Sequence, residues 1–324
     1  MSKKLETLIE KFKKDYGDDV YAEKQKKSEY TVVPTGSQSI DNATGVGGFA
    51  LGKMIEIIAW EGVGKSTVAT HVIAEAQKMG LKCALLDSEY GYDVDYSTAI
   101  GVDDKELEKF YPELVEDAAN MVCDLIKTGE VQVVVLDSMS GLSTGKEQEG
   151  EVGDSNMGVK ARLVGQFCRK VKPLLRKNDV LLIVIGQLRE KMTLYGDPTT
   201  TDYGNAIKFF ADVRIMLSKK LAKEGDEVIG NKVEAKFTKN KLGKPYQKCE
   251  FLITFGVGFD TIGEIVSSAK EVLPAEIFTR RKSKDLDYIT YKGEKRTVEE
   301  FEQLLKDNDE FKKELQETIK QYNK

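Results

Sequence analysis

The stretch that most constrains this chain is Ile55-Glu-Ile-Ile-Ala-Trp-Glu-Gly-Val-Gly-Lys-Ser-Thr67, an apolar run that breaks into a glycine-containing loop. Such a run reads as a buried strand of a parallel sheet, and the periodic segment Val68 to Met79 behind it reads as a helix. A loop between strand and helix whose backbone N–H groups turn inward is built to hold a phosphate chain. Its residues are Glu61, Gly62, Val63, Gly64, Lys65, Ser66 and Thr67, with Lys65 reaching β- and γ-phosphate oxygens and the Ser66 hydroxyl holding a magnesium ion. The first position of the usual G-x-x-x-x-G-K-[ST] pattern is Ala59, not glycine, although Gly62 and Gly64 keep the backbone freedom nearest the phosphates.

Two further apolar runs end in acids. Leu81-Lys-Cys-Ala-Leu-Leu-Asp87 delivers Asp87, Glu89, Asp93 and Asp95 to the carboxyl end of a strand, where open α/β sheets place ligands and catalytic groups. Val131-Gln-Val-Val-Val-Leu-Asp137 closes on an aspartate suited to position magnesium beside a phosphate loop. A third run, Val180-Leu-Leu-Ile-Val-Ile-Gly186, leads to Gln187 and Arg189. Together these strands describe a nucleoside triphosphatase. Glu89 is the carboxylate placed to accept a proton from attacking water, and Gln187 the group able to sense the γ-phosphate.

Elsewhere the pattern is looser. Leu5, Leu8, Ile9 and Phe12 make a narrow apolar stripe on a short helix, which pattern alone lets dock on its own domain or on another subunit. Residues 145–158 read as an exposed polar loop, and 159–177 as an amphipathic helix carrying Arg162 and Arg169. A second long loop, 191–205, mixes Met192, Leu194, Tyr195 and Tyr203 with glycines and threonines; these apolar side chains either await a ligand or tuck under the loop. From Val213 alternating segments read as antiparallel strands completing the sheet. Beyond about Asp260 a charged segment with Phe278, Tyr288, Tyr291, Phe301 and Phe311 as a modest core reads as a small C-terminal domain.

Bulk properties exclude several classes. With 49 basic and 54 acidic residues the net charge is −5, so any nucleic-acid surface must be local. The four cysteines lack metal-ligand spacing and read as buried reduced thiols. No run reaches the roughly 18 apolar residues of a membrane span, which sets the expectation of a soluble, cytoplasmic protein.

The chain resembles the bacterial RecA recombinase family and its phage-encoded relatives over nearly its whole length. The resemblance rests on Pro34-Thr-Gly-Ser-Gln-Ser-Ile-Asp41, Asp87-Ser-Glu89, Val133-Val-Val-Leu-Asp-Ser138, Glu149-Gly-Glu-Val-Gly-Asp-Ser-Asn-Met-Gly158, Gly204-Asn-Ala-Ile-Lys-Phe209, Lys239-Asn-Lys241 and Tyr291-Lys-Gly-Glu-Lys295. It implies an α/β fold: an N-terminal oligomerisation helix and linker over 1–33, an ATPase core with a mostly parallel sheet over 34–260, and a small α+β C-terminal domain over 261–324. It implies a DNA-dependent ATPase that uses ATP and Mg2+, forms helical filaments on single-stranded DNA and pairs that strand with homologous duplex in recombination, repair and the SOS response. Single-strand-binding and loader proteins are the further partners it suggests. A ring-forming motor with the same core, such as a helicase, is the alternative.

Residue by residue, the resemblance makes Asp93 and Tyr96 adenine contacts, Asp137 a metal support, and Glu89 the catalytic carboxylate. It makes Lys239 and Lys241 a pair that reaches the γ-phosphate of a neighbouring subunit. Loops 149–158 and 190–204 become the DNA loops, with Met157, Gly158, Arg162, Arg169, Arg189, Met192, Leu194, Tyr195, Tyr203, Gly204 and Asn205 as contacts. The N-terminal helix then docks on the adjacent protomer. The departures are Ala59 and Trp60 at the opening of the phosphate loop, a second loop about one residue shorter, and Tyr195 in place of phenylalanine.

Overall fold

A computed structural model of the chain describes residues 3–17, 30–151, 158–190, 199–282 and 287–322. The chain divides into two compact units, 1–31 and 32–324. In the first, helix α1 (Lys3–Tyr16) has no buried residue, and Leu5, Leu8 and Phe12 are each nearly half exposed. The stripe expected from periodicity is present and uncovered.

The second unit opens with β1 (Val32–Val33) and β2 (Phe49–Ala50), an antiparallel ribbon around α2 (Gln38–Thr44). Ser37 caps α2 by accepting from the Ile40 N–H, and Gly45 ends it in the left-handed conformation. The chain then alternates: β3 (Met54–Ala59), α3 (Lys65–Lys78), β4 (Cys83–Asp87), α4 (Val94–Ile100), β5 (Leu107–Phe110), α5 (Val115–Thr128), β6 (Val133–Asp137), α6 (Gly145–Glu149), α7 (Val159–Asn178) and β7 (Leu181–Gln187). A short ribbon, β8 (Arg189–Glu190) with β9 (Thr199–Thr200), precedes α8 (Ala206–Phe210). Strands β10 (Val213–Glu224), β11 (Glu227–Asn240), β12 (Lys248–Thr254) and β13 (Gly258–Phe259) follow, then α9 (Thr261–Val272), β14 (Phe278–Lys282), β15 (Asp287–Tyr291), β16 (Glu294–Thr297), α10 (Val298–Asp307) and α11 (Asp309–Tyr322).

The main sheet has the order β13-β12-β11-β10-β3-β7-β6-β4-β5. From β10 to β5 every pairing is parallel, and β11 to β13 continue the sheet antiparallel. The expected mostly parallel sheet is therefore present, with one correction: β10, read as antiparallel, joins β3 in parallel and is antiparallel only to β11. Period-two alternation sends Ile55, Ile57 and Ala59 to one face, against α3, and Met54 to the other, with α5 and α7. Burial on both faces is why the parallel strands read as continuous apolar runs. A third cluster, built on α9, β14, β15, α10 and α11, holds Phe301 edge-on to Phe278, Tyr291 and Phe311 at 5.5–6.3 Å. Tyr288 is not in it: its ring lies half exposed under Lys295 Nζ, 3.9 Å from the centroid.

Other expectations shift. Within 145–158, Thr144 and Glu147 form a reciprocal capping box that makes 145–149 helical instead of a loop, while residues 152–157 lie outside the described residues. Cys83, Cys123 and Cys168 are buried, but Cys249 is only half buried; all four are free thiols. Among the described residues no helix is long and apolar enough to cross a membrane.

The start of α2 is tied to α9 by a buried carboxylate. Glu264 accepts from Ser37 Oγ at 2.9 and 3.0 Å and from the Ser39 N–H at 3.3 Å. Burial pushes its pKa up to about 7, against the hydrogen bonds from Ser37 and the backbone that favour the charged form. Between the ordinary carboxylate range and about pH 7 the folded chain thus holds a proton that the unfolded chain has lost, so stability falls as pH rises through that window. We expect Glu264→Gln to flatten this decline, measured as urea midpoints at pH 5 and pH 7.5; an unaltered slope would contradict the assignment.

Candidate nucleotide-binding active site

Strand β3 ends in the core and the chain turns at once. Ala59 is fully buried and still pairs with Gln187, and its carbonyl accepts from the Leu188 N–H at 2.9 Å. The missing first glycine is thereby explained: its methyl belongs to the strand's packing and not to the loop. Gly62 and Gly64 have φ of 66° and 108°, and a Cβ at Gly64 would fall 2.3 Å from Ile253 Cδ1. The Val63 side chain is turned into the core, whereas Glu61, Gly62, Gly64, Lys65, Ser66 and Thr67 line a cavity of about 540 Å³. From below, Lys219 Nζ and Asn231 Nδ2 donate to the Gly62 carbonyl at 2.6 and 3.3 Å. Both come from the β10–β11 hairpin, where the sequence showed only alternating strands.

Lys65 is buried and donates to the Trp60 carbonyl at 3.0 Å. Desolvation lowers its pKa, while Asp137, Glu89 and Glu61 favour the cation. Asp137 is pushed up to about 6, first by burial, with Ser66 favouring the charged form and Glu89 and Asp87 opposing it. The buried Asp87 carboxylate shapes the turn above β4 by accepting from the Glu89 and Tyr92 N–H groups, each at 3.0 Å. That turn presents Glu89, whose Oε1 accepts from Ser138 Oγ and from Gln187 Nε2, the latter at 2.9 Å. Glu89, Gln187 and Asp137, read from three separate strands, thus line one cavity with Lys65. Ser138, next to Asp137, is the member the sequence argument passed over.

Asp93 and Tyr96 also line this cavity. Asp93 caps α4 by accepting from the Tyr96 N–H at 2.9 Å, and the Tyr96 hydroxyl lies 3.2 Å from Thr67 Oγ1. Across from them are Asn231, Ile253, Phe255 and Gly256. Buried Asn231 Oδ1 has no hydrogen-bond partner, which suits a site that takes a polar ligand. Among the described residues no group of three or more His, Cys, Asp or Glu could hold a metal unaided. Ser66 and Asp137 fit magnesium, which takes few protein ligands and completes its shell with phosphate oxygens and water.

Lys239 and Lys241 are elsewhere. Lys239 lies level with Glu56 and Lys241 lies nearer the amino end of β3, where Asp212 accepts from the Met54 N–H at 3.0 Å and pairs with Lys172 and, at 3.8 Å, with Lys241. Lys239 donates to the carbonyls of Lys208 and Phe209 at 3.0 and 2.7 Å; burial and the neighbouring Lys241 lower its pKa.

Of the residues read as loop contacts, Met157, Met192, Leu194 and Tyr195 lie outside the described residues. Gly158 caps α7 at its amino end; Arg162, Arg169, Arg189 and Asn205 are exposed. Gly204 closes a turn in which a Cβ would come 2.9 Å from Ala161. Tyr203 corrects the expectation that its ring is offered to a ligand: it is fully buried and donates to Glu56 Oε1 at 2.9 Å. Burial and the Glu56 charge raise its pKa well above the usual tyrosine range, and Arg214 neutralises the same carboxylate.

A sequence model of the RecA N-terminal domain matches residues 3–260. The chain belongs to the RecA family. It is 40% identical to the RecA protein of Chloroherpeton thalassium over 281 residues, covering 83% of this chain and 77% of that one. It is 37% identical to the RecA protein of Porphyromonas gingivalis over 326 residues, covering 98% and 94%. Against the RecA protein of Chlorobium limicola identity reaches 43% over 242 residues, or 74% and 69%. Among solved structures, that of the RadB recombinase superposes with a TM-score of 0.54 at 21% identity, over 70% of this chain and 98% of the other. That likeness speaks to the RecA-type fold alone.

A Cβ at Gly186 would lie 1.9 Å from the Tyr203 hydroxyl, so this glycine leaves the space the ring fills. We expect Gly186→Ala to cost about 1–3 kcal/mol by overpacking, read as a lower urea midpoint. A midpoint equal to wild type would show that the ring does not occupy that space.

Proposed function

We propose that this RecA-family chain hydrolyses ATP in a filament on single-stranded DNA and uses the filament to pair that strand with a homologous duplex. The observation that carries the proposal is the contact between Glu89 and Gln187 beside Lys65. A carboxylate that can accept a proton is bonded to an amide whose strand runs directly into the 188–204 segment. Lys65 and the N–H groups of residues 61–67 bind the phosphates, Ser66 and Asp137 hold magnesium, and Asp93, Tyr96 and Thr67 border the space for the base. Bound magnesium would supply charge neutralisation for the transferring phosphoryl group. Glu89 orients the attacking water and takes its proton.

By register Lys239 lies level with Glu56 in β3, and Lys241 lies beyond it, its N–H on the Asp212 carbonyl beside Met54. At about 3.3 Å per residue their backbones stand roughly 10 Å and 17 Å along the strand from Ala59, and the Lys239 amine is engaged by the carbonyls of Lys208 and Phe209. In this proposal Lys239 and Lys241 serve a phosphate on a second copy of the chain, as the resemblance implied, and the exposed stripe of α1 is a surface such a copy would cover. In this proposal residues 1–33 form the oligomerisation segment, 34–260 the ATPase core and 261–324 the C-terminal domain. DNA is gripped without regard to sequence by Arg162, Arg169 and Arg189 and by backbone around Gly158 and Gly204. Tyr203 stays in the core, and Watson–Crick pairing reads homology. The protein acts in the cytoplasm, with single-strand-binding and loader proteins as further partners.

ATP turnover with and without single-stranded DNA, with imaging of the same sample, tests this. The expected result is a rise of tenfold or more with continuous helical coating of the strand; hydrolysis indifferent to DNA, or closed rings, would overturn it. Glu89→Gln should lower turnover by about 10²-fold or more while a fluorescent ATP analogue still binds. Unaltered turnover in that variant would remove Glu89 from the proposed role.

A further inference from the structure

One polar cluster lies next to the site but outside it. Ser140, in the turn after β6, accepts from the Gln187 N–H at 3.0 Å and donates to Asp202 Oδ1 at 2.9 Å. Lys160, in the first turn of α7, donates to the Ser140 carbonyl at 3.1 Å and to Asp202 Oδ2 at 2.8 Å. The Lys160 and Asp202 side chains are only 13% and 20% exposed, so water screens this pair less than a surface ion pair. Four segments meet here: the turn that carries Asp137 and Ser138, the end of β7, the start of α7 and the Thr201–Gly204 turn. That last turn is closed by Thr201 Oγ1 donating to the Gly204 carbonyl at 3.0 Å. It is pinned from its other side by Tyr203 on Glu56.

We propose that Lys160, Asp202 and Ser140 are positioning residues that clamp the roots of the 149–158 and 190–204 loops onto the Gln187 backbone, so that a ligand moving those loops also moves Gln187 against Glu89. The geometry leaves little slack. Gln187 reaches Glu89 through its side chain and Ser140 through its N–H, and Ser140 has both its hydroxyl and its carbonyl engaged by the clamp. Moving Asp202 or Lys160 alone strands a part-buried charge, so the two loop roots shift as a unit or the pair breaks. The coupling to catalysis rests on the DNA-dependent ATPase reading above, whereas the clamp itself exists in the DNA-free chain.

The test uses the full chain with Lys160→Met, Asp202→Asn, the double variant and Lys160→Arg. Hydrogen exchange at the Gln187 amide is measured without DNA, and ATP turnover with and without poly(dT). The clamp predicts about tenfold faster exchange at Gln187 and about a tenfold loss in the ratio of DNA-stimulated to DNA-free turnover in each single variant. It predicts a double variant no worse than either single, since the partners act as a unit, and recovery in Lys160→Arg. A general loss of stability would not spare Lys160→Arg in this way. Should Asp202→Asn fail to fold, Ser140→Ala removes the hydroxyl that joins Asp202 to the Gln187 N–H and must show the same faster exchange. Wild-type exchange at Gln187 in the folded variants, or losses that multiply in the double variant, would overturn the clamp. Faster exchange in the variants of a chain that shows no DNA stimulation would uphold the clamp and sink the ATPase reading instead.

Discussion

The carboxyl edge of the sheet is organised around one partly desolvated ammonium. Lys65 is held out of water by the turn between β3 and α3, and burial alone would favour its neutral form. Three carboxylates, Asp137, Glu89 and Glu61, offset that cost, and the Trp60 carbonyl accepts a hydrogen bond from it. The same acids repel one another, as the raised pKa of Asp137 reports. In the proposed function a divalent cation entering with the phosphates would offset the repulsion among these acids. Parallel strands β3, β7, β6 and β4 lie side by side, so their carboxyl ends bring the loop, the glutamine, the aspartate and the glutamate to one place without help from long-range loops.

That is also why these parts were legible in the sequence. Each is a local signal, an apolar run stopped by a polar residue, and a parallel sheet turns such stops into neighbours. The residues that were not legible reach the site through tertiary packing. Lys219 and Asn231 look like ordinary polar positions in a hairpin until the hairpin lies beside the phosphate loop. Ser140, Lys160 and Asp202 are unremarkable singly and become a cluster only where four segments converge. Tyr203 was misjudged because an aromatic beside glycines resembles a surface loop, while its partner Glu56 is hidden inside a strand that reads as wholly apolar in role. Ala59 looked like damage to a motif and is core packing. The antiparallel reading of β10 failed because alternation cannot report which neighbour a strand will choose.

The two ends of β3 divide the work. At one end stand the loop, Glu89 and Gln187, which in the proposed function bind nucleotide and activate water; at the other, Asp212 gathers Lys172 and Lys241 beside Lys239. The like-charged lysines are tolerated there because Asp212 pairs with Lys172 and Lys241 and the carbonyls of Lys208 and Phe209 accept hydrogen bonds from Lys239. In the proposed filament these cations complete the site of a neighbouring copy, which would make hydrolysis a property of neighbours.

Mixing two inactive variants tests this most directly. Lys65→Ala lacks a working phosphate loop but keeps the lysine pair, and the double variant Lys239→Ala with Lys241→Ala keeps the loop but lacks the pair. The account predicts that neither hydrolyses ATP alone in the presence of single-stranded DNA and that turnover returns on mixing, rising with the fraction of productive junctions. Full activity of the lysine double variant on its own, or no recovery in mixed assemblies that coat the strand, would contradict it.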